Sequence, residues 1–375
     1  MLLQKASPSM EDRIRIGVVG TSWWADWMHL PSLKSHPRAE LAAICGRNRE
    51  PAEAMAQKYD IPLVFSDYRD MLARGDLQAL VVSTPDDQHY QITMDGLESG
   101  LHVLCEKPLA MNAGQARAMY ERAEARGVKH MTFFTWRWMP HFQYVRDLIE
   151  SGYIGRCFQC QLRFLGGYGR DGQYAWRFDR RRANGILGDL GSHMIDLARW
   201  YLGDIAQVSA HMAAFVDRPG PDGESLDAAN DAAVLAVEFA NGAHGTIQVS
   251  AVAYTGEREM EQQIILHGEA GTLEVTVCSE GAEAGAQIRG ARHDEPFQIL
   301  QVPDQLWDGV DRTESFFSQL GNLFLTQPVG GRLFVDAILE NRPVAPSFFD
   351  GLKAQEVIDA ALESHQSGRW VGLPR

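Results

Sequence analysis

Through its first third this chain alternates short apolar runs with helical stretches, and that alternation leaves few folds open to it. Residues 15–19, 41–44, 63–65, 79–82, 101–105 and 130–135 read as strands. A helix from residue 24, then helices over 51–59, 86–99 and 112–126, separate most of them. Pro51 suits a first helical turn, and Gly100 ends the third helix. Strands that return through helices run parallel, in a sheet covered on both faces.

The pattern then changes. Strand-like stretches follow at 157–165, 208–215, 232–239, 245–253, 262–267 and 272–277. Asn241-Gly242 is a hairpin signal between two of them, and residues 268–271 join another pair. One helix, over 189–202 and stopped by Gly203, precedes most of these strands; a second, from residue 348 to about 366, closes the chain. The Gly- and Ala-rich stretch 280–291 reads as a mobile loop. At 375 residues the chain exceeds one ordinary core. The expectation is therefore a doubly wound α/β Rossmann domain over 12–135. An α+β domain over 136–375 should follow, built on a large, open-faced, mostly antiparallel sheet. Such a sheet needs a cover, which predicts a homodimer or homotetramer packed through it.

The totals narrow the partners. A formal net charge of −14 argues against nucleic acid or an anionic membrane, and no apolar run is long enough to span a bilayer. Residues 1–13 lack a signal-peptide core and read as a ragged tail on a cytoplasmic protein. The five scattered cysteines, Cys45, Cys105, Cys157, Cys160 and Cys278, suit a reducing compartment. Cys157 and Cys160 resemble a metal or redox pair, but positions three apart on a strand should face opposite sides, and no second pair completes a zinc site. No metal is expected. The basic cluster 177–182 reads as the lining of an anionic pocket, a subunit contact or a solvated loop.

Four segments carry chemistry. Gly20-Thr21-Ser22-Trp23-Trp24-Ala25 follows the first strand and opens a helix, which is where a dinucleotide turn belongs. Ser22 stands where that fingerprint has its middle glycine. Trp23 and Trp24 either cover the cofactor or plug the domain boundary. At the end of the second strand, Arg47-Asn48 occupies the place where an NAD site offers a carboxylate. An arginine there favours NADP(H) over NAD(H). Ser83-Thr84-Pro85 ends the fourth strand, with His89 in the helix that follows. Glu106-Lys107-Pro108 ends the fifth, in the crevice where such sheets bind ligands. There the Lys107 amine could be held near neutrality and bond a reacting hydroxyl or carbonyl. Finally Asp189, His193, Asp196 and Trp200 fall on one helical stripe. A histidine flanked by carboxylates can carry a proton.

In that order, these segments resemble the glucose-fructose oxidoreductase, inositol dehydrogenase and MocA-like (Gfo/Idh/MocA) family. The matching pieces are the turn at Gly20, Thr84-Pro85 with His89, Glu106-Lys107-Pro108, Trp176-Arg177, and Gly188-Asp189 through His193 to Asp196. The resemblance implies that Lys107 bonds the reacting oxygen and that Asp189 and His193 handle its proton. Ser22 depart from the family pattern, as does Asp86, where an asparagine is often found. Together these residues predict an NAD(P)-dependent oxidoreductase that moves a hydride between nicotinamide and a hydroxyl or ketone of a sugar, cyclitol or related polyol. Arg137, Trp176 and Arg177 would line the substrate pocket with Lys107, Asp189 and His193. Two alternatives stay open: tightly bound NAD used in transient oxidation for glycoside cleavage or epimerisation, and a non-catalytic cofactor-binding sensor.

Overall fold

The computed structural model describes residues 13–374; the expected tail lies almost wholly outside them. The first sheet holds β1 (Ile14–Val19), β2 (Ala39–Cys45), β3 (Leu63–Phe65), β4 (Ala79–Val82), β5 (His102–Cys105) and β6 (His130–Thr132). All pair in parallel in the order β3-β2-β1-β4-β5-β6, the doubly wound order of Rossmann sheets. The covering helices are α1 (Leu30–Lys34), α2 (Arg49–Tyr59), α3 (Tyr68–Leu72), α4 (Asp86–Glu98) and α5 (Ala113–Arg126). Val81, Val82, Leu104 and Cys105 are fully buried, as central parallel strands require. Asn112 caps α5 by accepting from the Gln115 backbone N–H at 2.9 Å.

Beyond β6 the chain makes a 3-10 turn (Thr135–Trp138) and α6 (Pro140–Glu150), then enters the second sheet. Its strands are β7 (Cys157–Gly166), β8 (Ile205–Ala213), β9 (Ala232–Phe239), β10 (His244–Ser250), β11 (Met260–Gly268), β12 (Gly271–Cys278), β13 (Gly285–Arg292), β14 (Gln298–Ile299) and β15 (Val371–Gly372). The order is β14-β13-β12-β11-β7-β10-β9-β8-β15. Every contact is antiparallel except β7 with β10. The Asn241-Gly242 turn joins β9 to β10 as its residues predict.

Three local expectations are corrected. Most of the stretch read as a mobile loop is β13, paired with β12 and burying Ile288. Its small residues hid a strand that follows no strong alternation. Cys157 and Cys160 do not face opposite sides: both are buried. The register with β11 shifts between His267 and Gly268, so Cys157 meets Gly268 while Gln159 meets His267. This bulge around Phe158 resets the alternation. The helix expected over 189–202 splits into a π-helical turn (Leu187–Gly191) and α7 (Ser192–Leu202).

The remaining helices, α8 (Phe316–Thr326), α9 (Gly330–Leu339) and α10 (Phe348–Ser367), come back to the first sheet. Phe348 packs in the core with β4, β5 and α5, while Ser364 of α10 accepts from the Ala210 N–H in β8. A single helix thus lies against both sheets. No helix among the described residues is long and apolar enough to cross a membrane.

Candidate active site

A cleft of about 1410 Å³ runs between the carboxyl ends of the parallel strands and the inner side of the second sheet. It exceeds the few hundred to ~1000 Å³ of an ordinary small-molecule site. A dinucleotide and a second small molecule fit such a volume. At one end lie Arg47 and Asn48 after β2, with Tyr68 and Arg69 from α3. Gly20 sits at the centre with φ +121°, and a Cβ there would fall 2.0 Å from the Ser83 carbonyl oxygen. Only glycine permits that close approach of β1 and β4. Ser22, in the place of the expected glycine, accepts from the Ala25 N–H at 3.2 Å and so caps the helix it precedes. Thr84 also lines the cleft, and its Oγ1 is buried with no partner among the described residues. The bare Gly20 turn and this waiting hydroxyl fit a bound dinucleotide.

Glu106 ties the cofactor side together. Its Oε1 accepts from Trp24 Nε1 at 2.6 Å and lies 2.7 Å from His29 Nε2. Trp23 and Trp24 both line the cleft, and Trp23 is 67% exposed there. Trp23 stacks on Trp27, which meets Phe317 of α8 edge-on, so the tryptophans also bridge to the C-terminal helices. His89, on the helix that follows Ser83-Thr84-Pro85, does not line the cleft. It is fully buried, with Nδ1 2.8 Å from the Pro108 carbonyl and Nε2 2.9 Å from that of Thr84. It staples the ends of β4 and β5 from behind.

Next to Glu106, Lys107 reaches across to the second domain, where its Nζ donates to Asp189 Oδ1 at 2.8 Å and to the Asp189 carbonyl at 3.0 Å. Asp189 Oδ2 accepts from the Tyr168 hydroxyl at 2.8 Å and pairs with Arg177 Nε at 3.1 Å. Trp176 and Arg177 line the cleft, with the guanidinium 5.2 Å from the Trp176 ring centre. Burial opposes charge on Lys107, but Asp189, with Glu106 and Asp86, outweighs it and raises the ammonium above its usual value. Lys107 is therefore a charged donor, a correction to the neutral amine expected. Burial likewise opposes charge on Asp189, yet Lys107 and Arg177 hold it below the usual carboxylate range.

His193 also lines the cleft, from α7, buried among Phe134, Trp136 and Phe164. Burial, reinforced by the Lys107 charge, holds it well below the usual imidazole range against the pull of Asp189. Its Nδ1 has no partner among the described residues. The expected flanking carboxylates are engaged elsewhere. Asp196 takes Arg137 in a two-pronged pair, Nε to Oδ2 at 2.8 Å and Nη2 to Oδ1 at 2.5 Å, and Arg137 also reaches Asp350 at 2.8 Å. Arg137 is thus buried in an ion network behind α7 and is not among the cleft residues, contrary to its expected substrate role.

Two family descriptions match nearly the whole chain: an oxidoreductase family's NAD-binding Rossmann fold over residues 14–134 and its C-terminal alpha/beta domain over 146–373. The chain belongs to the Gfo/Idh/MocA oxidoreductase family. It is an oxidoreductase with an NAD-binding Rossmann domain. Levoglucosan dehydrogenase of Pseudarthrobacter phenanthrenivorans is 28% identical over 88% of this chain and 89% of its own. Inositol 2-dehydrogenase of Rhizobium meliloti is 26% identical over 96% and 99%. A levoglucosan dehydrogenase structure with NADH and levoglucosan superposes with a TM-score of 0.86 over 97% of this chain and all of that one, at 24% identity, and shares the fold.

Within this Gfo/Idh/MocA chain, sequence reasoning missed Tyr168, Trp136, Phe164 and His29. Tyr168 alone left a signal, an aromatic residue set among Gly166, Gly167 and Gly169 directly after a strand. The others reach the site from buried positions that look like core.

Proposed function

We propose that this protein is an NAD(P)-dependent dehydrogenase or reductase acting on a hydroxyl or ketone of a sugar, cyclitol or related polyol. A charged Lys107 and a neutral His193 lining the same cleft carry this reading. Neighbouring groups pushed apart in acidity divide acid and base roles between them. Neutral His193 takes the hydroxyl proton in oxidation and returns it in reduction. Lys107 has three N–H groups, two on Asp189, and the third serves the reacting oxygen. Asp189 orients Lys107. The nicotinamide, when bound, supplies the acceptor or donor of hydride. Gly20, Thr21, Ser22 and Thr84 hold the dinucleotide within residues 12–135, and Trp176 and Arg177 help shape the sugar side within 136–375.

Arg47 is exposed and free of ion pairs among the described residues, which supports NADP(H) over NAD(H). Equal kcat/KM with both cofactors would remove that preference. The broad second sheet supports a homodimer or homotetramer, to be read by sedimentation velocity. Five unpaired cysteines support a cytoplasmic setting.

The deciding experiment follows NAD(P)H absorbance with levoglucosan, D-glucosides, inositols and D-apiose. Lys107→Met and His193→Asn should each lower kcat/KM by ~10²–10⁴-fold while cofactor affinity holds. A variant that keeps most of its turnover sinks the role given to its residue.

A further inference from the structure

Away from the cleft lies an ion pair that solvent does not reach. The side chains of Arg218 and Asp231 meet at 3.2 Å, and both are 0% exposed. They belong to the connection between β8 and β9, residues 214–231 with the first residue of that strand pair's junction, and neither lines the cleft. Asp231 closes the base of the connection: Oδ1 accepts from the Phe215 N–H at 2.9 Å and Oδ2 from the Val216 N–H at 3.0 Å. Arg218 Nη1 donates to Asp231 and to the Val216 carbonyl, the latter at 3.0 Å. Its Nη2 reaches out of the connection to the Gly169 carbonyl at 2.5 Å. The guanidinium carbon stands 3.9 Å from the centre of the Phe178 ring. A buried pair of this kind is weak evidence for stability; fixing a geometry is the other use it can have.

What Arg218 touches leads to the site. Gly169 follows Tyr168 and Phe178 follows Arg177. Tyr168 and Arg177 are the two partners of Asp189 Oδ2, at 2.8 and 3.1 Å. The Gly169 N–H is held in turn by the Ala251 carbonyl at 2.8 Å. The same connection reaches the π-turn that carries Asp189. Asn230, beside Asp231, accepts from the Ile186 N–H through its carbonyl and from the Leu187 N–H through Oδ1, each at 2.9 Å. Three segments that meet at Asp189 therefore rest on one connection, and Arg218 joins two of them directly. The junction is full: a Cβ on Gly169 would stand 2.9 Å from Phe178 Cζ and 3.0 Å from Arg218 Nη2.

We propose that Arg218 is a positioning residue for the reaction: braced by Asp231, it holds Tyr168 and Arg177 on one oxygen of Asp189, so that the other oxygen stays on Lys107. This rests on the roles given to Lys107 and Asp189 above. A carboxylate fixed at Oδ2 by two donors cannot swing, and its Oδ1 keeps the ammonium in place.

Arg218→Lys keeps a charge beside Asp231 but lacks the fork that meets Gly169 and the plane that covers Phe178. The first readout needs no substrate. In protein carrying 3-fluorotyrosine, the Tyr168 resonance is assigned by its loss in Tyr168→Phe. Arg218→Lys should shift that resonance about as far as Asp189→Asn does. The second readout uses a substrate from the panel above. Arg218→Lys should lower kcat about tenfold with NADH affinity unchanged, but less than ~3-fold when Tyr168→Phe is already present. An unmoved Tyr168 resonance overturns the proposal, as does no loss of kcat or an equal loss in both backgrounds. Should Arg218→Lys fail to fold, Gly169→Ala, which presses on the same junction, is judged by the same readouts. Full turnover in Lys107→Met would instead remove the role on which the proposal rests, whereas an unmoved resonance with inactive Lys107→Met defeats only the role of Arg218.

Discussion

Gly20 and His193 show how single positions set what the cleft can do. At Gly20, even one methyl would meet the Ser83 carbonyl 2.0 Å away. Gly20→Ala should therefore abolish dinucleotide binding, read as lost quenching of tryptophan fluorescence on NADH addition; binding within a few-fold of the parent would refute this. His193 predicts a pH effect whose sign is fixed by its surroundings. Since burial and Lys107 lower it, the neutral, proton-accepting form persists below pH 6.5, and the acid limb of kcat/KM for oxidation should lie below that value. An acid limb at or above pH 6.5 contradicts this environment. Lys107, at the end of an apolar strand, and Asp189 and His193, on one helical stripe, stood out in the sequence, and the structure brings all three to the cleft. Arg137 and His89 misled because a polar residue at such an end can equally be a buried strut. Only the partners Asp196, Asp350, Pro108 and Thr84, distant or carbonyl-bearing, decide between the two.

The elements were legible where alternation or apolarity was strong, as in β4, β9 and α10. They were lost where small residues or a bulge blurred the period, as in β13 and at Cys157. The π-turn before α7 could not be read, because an extra residue in one turn leaves no trace in composition. That turn presents Asp189 to the cleft while α7 behind it is anchored by Arg137. Arg137→Ala would leave the Asp196 carboxylate buried without its partner. The cost should be about 3–5 kcal/mol in urea unfolding; a loss below 1 kcal/mol would show that the network does not hold α7.

For the molecule as a whole, acid sensitivity follows from buried histidines. His141 on α6 packs against Trp307, and burial lowers it to about 4. The unfolded chain takes up this proton as pH falls through 6.5, whereas the folded chain resists until about 4. Stability is therefore present above pH 6.5 and is lost between these values, by up to about 3 kcal/mol from this group. His141→Phe should reduce the difference in unfolding free energy between pH 7 and pH 4.5. An identical difference in both proteins would deny His141 a part in it.

The position of α10 has a bearing on how the protein is made. Phe348 fills the core of the amino-terminal sheet, and its N–H bonds His130, 218 residues earlier. On the ribosome, that half emerges with a hole that only a segment made more than 200 residues later can plug. Premature termination would leave it sticky, a natural client for chaperones.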